Sequence, residues 1–150
     1  MQCILLFKKE VLSMKKYSIR IIIICIFFGI ISFSFYLQWG QEMEICNTTS
    51  ETANNYYSLD ITIIAHRLYI RDKEKFAESA IQKCVENSWK DIRFSYDLSG
   101  YPNELNIDVY MSNCAYHSHK MAFTIVYSQD NNFEYNIKDN PDKFTIKLIE

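Results

Sequence analysis

The residue types best suited to chemistry gather in one short stretch, Cys114-Ala115-Tyr116-His117-Ser118-His119. Imidazole and thiolate are the ligands that zinc and copper favour. On an extended backbone, side chains two apart point the same way. His117 and His119 would then face one ion together, with Cys114 as a third ligand. A fourth would have to come from elsewhere in the fold, from His66 or a carboxylate. The plainer reading is a polar loop with solvated histidines. The chain is therefore assigned no metal and no cofactor, and Cys114, His117 and His119 stand as the candidates for a metal-binding alternative.

Other chemistry is hard to place. Gly100 is the only glycine after Gly40, so the folded part has no glycine-rich phosphate loop. There is no nucleophile elbow, no zinc-protease motif and no Cys-x-x-Cys pair. No catalytic residue is assigned and no enzymatic activity is expected. Of the five cysteines, Cys3 and Cys25 lie near the N-terminus, leaving Cys46, Cys84 and Cys114. Three thiols cannot close a disulfide framework. A bridge from Cys84 to Cys114 is the pairing to test, against Cys84 as a small buried apolar residue. His66, among apolar neighbours, reads as a half-buried histidine. Tyr56, Tyr57, Tyr101, Tyr110 and Tyr116 would suit a contact surface, although a preference for AT-rich codons explains them as well.

The elements that must position these residues begin with a membrane segment. From Ile21 to Leu37 the chain reads IIIICIFFGIISFSFYL, without a charge. A helix of that length spans about one hydrocarbon core at ~1.5 Å per residue. Tyr17, Tyr36 and Trp39 flank it, as aromatic rings do at headgroup depth. Residues 1–20 carry five Lys and Arg against one acid, Glu10. The positive-inside rule puts that flank in the cytoplasm and the rest outside. Ser32-Phe33-Ser34, the one small-x-small sequence, lies inside the apolar run, which favours an uncleaved anchor over a signal whose cleavage would release a secreted domain. The codons for Lys9-Glu10-Val11 can spell a purine-rich ribosome site just before Met14. Translation from Met14 would give the basic lead MKKYSIR, so Met14 is a candidate start in a bacterium of low GC content.

The expected organisation is a cytoplasmic N-terminus over 1–18, a transmembrane helix over 19–39, a flexible tether over 40–58 and an extracytoplasmic α+β domain over 59–150. The tether is predicted from its polar composition. Alternation at Leu59, Ile61 and Ile63, resumed on the other parity at Leu68 and Ile70, predicts a strand with a bulge near 65–67. The stripe Phe76, Ala77, Ala80, Ile81, Cys84 and Val85 predicts an amphipathic helix over 73–88, capped by Asp72. Period-two runs over 92–98, 105–111, 121–127, 133–137 and 144–148 predict five more strands, with turns at 99–103, 129–132 and 140–142. The order β-α-β-β-β-β-β implies one helix across a curved antiparallel sheet of about six strands, with Trp89 and Phe76 at the contact. In architecture alone this resembles the cystatin-like and NTF2-like arrangements, and no motif ties the chain to either.

Net charge is −2 overall. Residues 40–150 hold 11 basic and 17 acidic residues, a balance unsuited to nucleic acid and to lying flat on anionic lipid. The expected partners are the membrane and a protein. The expected role is an accessory or binding subunit of a bacterial envelope complex in the cell membrane.

Overall fold

Unbroken apolar sequence makes the first element. Straight-chain and branched apolar residues without proline sustain a helix, and α1 runs Gln2–Trp39 in a computed structural model of the chain. The structure describes residues 2–53, 56–130 and 134–150, and for 2–17 the backbone alone. Within α1, Ser18–Trp39 is 22 residues long with a mean hydropathy of 2.4, and its most apolar 18-residue window is 0% buried. At ~1.5 Å per residue it extends roughly 33 Å, enough to cross a hydrocarbon core. Ser34 donates its hydroxyl to the Ile30 carbonyl at 2.9 Å, so its polar group is satisfied within the helix. The segment has the length and composition of a membrane anchor or a signal sequence.

Gln41–Glu150 is a separate compact unit, of α+β class. Its sheet has five strands in the order β1-β2-β3-β4-β5. They are β1 Glu44–Ala53, β2 Tyr56–Ile64, β3 Glu104–Tyr110, β4 Phe123–Gln129 and β5 Phe144–Ile149. Helix α2, Lys73–Val85, connects β2 to β3, with short helices α3, Tyr96–Ser99, and α4, Asn113–His117. β1–β2, β3–β4 and β4–β5 pair antiparallel. β2 and β3 pair parallel, Ser58 opposite Glu104 through Ile64 opposite Tyr110. A helical crossover is what a parallel pair requires.

Several expectations change. The tether predicted over 40–58 is largely strand: β1 pairs with β2 from Glu44↔Ile64 to Ala53↔Tyr56, with a bulge at Cys46. Its one buried apolar residue is Ile45. An edge strand with an exposed outer side needs few apolar residues, so its composition imitates a disordered linker. Thr48, Thr49 and Thr52 suit a pleated backbone nonetheless. The sheet has five strands rather than six and is not wholly antiparallel, which departs from the basis of the cystatin-like and NTF2-like comparison.

The strand predicted over 92–98 is absent. Asn87 sits just past α2 with φ 52. Its amide donates to Phe94 O at 2.7 Å and accepts from Phe94 N at 2.8 Å. That pair of bonds supplies Phe94 with what a neighbouring strand would. Tyr96 then turns into the core and donates to Cys84 O at 3.0 Å. Gly100 follows α3 at φ 73 and ψ −179, a conformation that glycine alone adopts readily. Of the strand predicted over 133–137, Phe133 lies outside the described residues, as do Asn131 and Asn132 of the hairpin loop. Residues 134–137 are irregular, and Ile137 is buried in the core.

The core lies on the face covered by α2. Ala77, Ala80, Ile81 and Cys84 of the helix share it with Leu59, Ile61, Ile63, Leu105, Ile107, Val109, Phe123, Ile125 and Trp89. Phe76 meets Phe123 edge-on at 6.1 Å. Each large side chain so buried contributes ~1.5–3 kcal/mol. Ser88 N–H bonds to Lys83 O at 3.0 Å and Asn87 N–H to Cys84 O at 3.2 Å. The helix therefore ends in a Schellman motif, with Asn87 in the left-handed position usually held by glycine.

Candidate functional site

The stretch 114–119, expected as a loop between two strands, belongs to the short helix α4 as far as His117 and to the turn after it at 118–119. Ser112 caps α4 by accepting the Ala115 amide at 3.2 Å. His119 has φ 53, and its own N–H bonds to Tyr116 O at 3.0 Å while Lys120 N–H bonds to Ala115 O at 2.9 Å. His119 thus closes the short helix in the same left-handed way that Asn87 closes α2. The backbone that would aim His117 and His119 at one point is not the one adopted. Cys114, His117 and His119 are all exposed. Among the described residues, no group of three or more His, Cys, Asp or Glu side chains is arranged to hold a metal ion.

Cys84 and Cys114 are both free thiols, which corrects the bridge considered from the sequence. Cys84 belongs to the buried stripe of α2, whereas Cys114 is exposed on α4. Burial pushes the Cys84 thiol up to about 12, the Trp89 side chain acting weakly against it. Such a thiol stays protonated and inert. Trp89 is buried, its Nε1 meets no acceptor at hydrogen-bond geometry among the described residues, and Lys83 Nζ stands 5.6 Å from its ring centroid. Cys46, on the bulge, is also raised, by partial burial and then by Glu44.

His66 follows β2 with φ 49, and its Nε2 lies 3.0 Å from Glu44 Oε1. The strand predicted to continue through a bulge near 65–67 to Leu68 and Ile70 instead ends at Ile64, and beyond it Ala65 N–H and Arg67 N–H reach Tyr110 O and Met111 O on either side of His66. The five tyrosines are half-buried. Tyr56 donates to Glu104 Oε2 at 2.6 Å, Tyr101 stands against Tyr96 at 4.3 Å, and Tyr110 meets Tyr116 edge-on at 5.3 Å.

The side of the sheet opposite α2 is the surface that sequence reasoning did not single out. Asp60 and Thr62 of β2, Asn106 and Asp108 of β3, and Thr124 of β4 stand side by side there by register. Asn106 donates to Asp60 at 2.8 Å, and Thr124 donates to Asp108 at 2.7 Å. Asp60, Thr62, Asn106 and Asp108, with Asn47 and Thr49 of β1, line a shallow depression of about 320 Å³. Hydroxyls, amides and carboxylates held this way offer donors and acceptors at fixed spacings. The signal was available in the sequence for β2, β3 and β4, where Asp60, Thr62, Asn106, Asp108 and Thr124 alternate with apolar odd-numbered neighbours. It lacked only the knowledge that, among the described residues of the domain, no second layer covers them.

The fold and site together define a small α+β domain, with an open polar sheet face, that follows an apolar N-terminal helix. No family model, no curated protein and no solved structure matches the chain.

Proposed function

We propose that the chain is a single-pass membrane protein whose N-terminus stays in the cytoplasm and whose domain acts outside as a binding module, an accessory subunit of a bacterial envelope complex. The observation that carries this reading is the 22-residue apolar stretch Ser18–Trp39, whose most apolar 18-residue window is 0% buried. Exposing so many large apolar side chains to water is unfavourable by ~25 cal/mol per Å², and a bilayer removes that cost. The basic lead of residues 1–20 supports the orientation. The open polar face and the exposed edge of β1 support docking of a protein partner, because the face holds hydroxyls, amides and carboxylates at fixed spacings and an edge strand offers backbone groups to another chain.

Orientation is tested by labelling spheroplasts with a membrane-impermeant maleimide. Cys46 and Cys114 are exposed and should react from outside, while Cys84 reacts only after denaturation. Labelling of Cys46 and Cys114 that requires lysis would overturn the orientation. The binding role is tested by crosslinking in native membranes. A specific partner should be recovered with the wild-type chain and lost with Thr62→Arg, which places bulk and charge on the open face. Recovery of no specific partner counts against this role.

A further inference from the structure

Strand register brings several distant parts of the domain to one end of the sheet. Glu44 opens β1 opposite Ile64, the last residue of β2. Ile64 is opposite Tyr110, the last residue of β3. Phe123 opens β4 opposite Val109, and Ile149 closes β5 opposite Thr124. The loop 65–72, the segment 111–122 and the C-terminal end of β5 therefore all emerge at the end where the chain enters the domain.

Exposed apolar side chains concentrate there. Among the described residues of the domain, the large exposed ones are Leu68 at 56%, Tyr69 at 56%, Met121 at 47%, Ile149 at 56% and Leu98 at 85%. All but Leu98 belong to this end. Leu98 is in α3, after the crossover helix has carried the chain to the opposite end. Cations accompany them: Arg67 and Arg71 flank Leu68 and Tyr69, and Lys120 precedes Met121. Of the acids nearby, Asp72 pairs with Lys75 and Glu150 with Lys73, Glu74 shares a cleft with Arg71, Lys73 and Lys75, and Glu44 Oε1 lies 3.0 Å from the His66 imidazole. The acidic character of the domain as a whole is thus offset at this end.

Chain length supplies the occupant. Only residues 40–43 separate Trp39 from Glu44, and five fully extended steps reach at most about 18 Å. If α1 spans a bilayer, this end of the sheet cannot stand far from the headgroups. An aromatic ring, aliphatic side chains and arginines are what the interfacial layer favours.

We infer that the domain rests on the outer leaflet of the bilayer that α1 crosses, with Leu68, Tyr69, Met121 and Ile149 entering the interface and Arg67, Arg71 and Lys120 meeting lipid phosphates. This inference rests on the anchored reading above. It fixes which parts of the domain are left for a partner: the polar face and the end bearing Leu98.

The test uses the full chain in vesicles of phosphatidylglycerol and phosphatidylethanolamine. The photocrosslinking residue p-benzoylphenylalanine replaces Leu68, Met121, Leu98 or Phe27, one position per protein, and lipid adducts are measured by mass after illumination. All four side chains are exposed, so the substitutions leave the core intact. Adduct at residues 68 and 121 should exceed that at 98 by at least about tenfold and approach that at 27, the depth marker in α1. Adding Arg67→Glu and Arg71→Glu should reduce adduct at 68 while leaving it unchanged at 27. Adduct at 27 with none at 68 and 121 would overturn the inference and leave the anchor standing. Crosslinks from 68 and 121 to protein instead of lipid would overturn it in favour of a protein contact at this end. Absence of adduct at 27 as well would overturn the anchored reading and this one together.

Discussion

Asp72 illustrates how one side chain sets a boundary. It precedes α2 with extended dihedrals and accepts the Lys75 amide at 3.0 Å. That bond, with further help from the Lys75 ammonium, holds the Asp72 carboxyl below its ordinary value of 3.8. A group depressed in the folded state contributes stability above its ordinary value and loses it as pH falls through the folded one. Asp72→Asn keeps a capping oxygen without a titrating charge. In urea unfolding, the advantage of wild type over Asp72→Asn should therefore be constant near neutral pH and shrink below about pH 4. A difference that does not vary with pH would show that the carboxylate has no special role. His119 makes the complementary point, because a residue type chosen for metal chemistry serves here to terminate a helix.

At the scale of elements, two segments take structures that their own composition argued against. Residues 92–98 alternate like a strand, yet the two bonds from Asn87 to Phe94 and the burial of Tyr96 hold the chain in a compact turn. Asn87→Ala removes both bonds and leaves partly buried backbone groups unmet. It should cost about 1–3 kcal/mol in denaturant midpoint analysis, while an effect within a few tenths would place the ordering of this segment elsewhere. Residues 44–53 look like a linker and form the edge strand β1. In hydrogen exchange on the full chain, alternate amides of residues 47–52 should be protected relative to those of 41–43. Uniformly fast exchange across 41–53 would restore the tether.

For the whole molecule, placement follows from moving the side chains of Ser18–Trp39 out of water. Charges near the centre of a membrane helix each cost ~2.5–3.5 kcal/mol on insertion scales. Ile26→Lys combined with Ile30→Lys should move the product from the carbonate-resistant membrane fraction to the soluble fraction. Retention in the membrane by this double variant would mean that something other than α1 holds the chain there. The domain at residues 41–150 has its own core of Leu59, Ile107, Phe123 and Trp89. The same variant should therefore keep the cooperative unfolding of its sheet.

Local periodicity carries local structure, and here it was informative. An unbroken apolar run, a stripe at helical spacing behind a capping aspartate, and alternation over 105–111, 121–127 and 144–148 were enough to place α1, α2, β3, β4 and β5, because each pattern is written within a few turns or pleats. The buried character of Cys84 and Trp89 was legible for the same reason. The parallel pairing of β2 with β3, the recruitment of a polar segment as β1 and the left-handed closure at His119 were not. They depend on which residues far apart in sequence come to lie opposite one another, and no short window records that. The polar face became a surface only because α2 covers the other side. The grouping of Leu68, Met121 and Ile149 at one end exists only through register. Side-chain patterns along the chain could specify the elements, but their assembly chose the surfaces, since exposure belongs to the packed sheet and to no single strand.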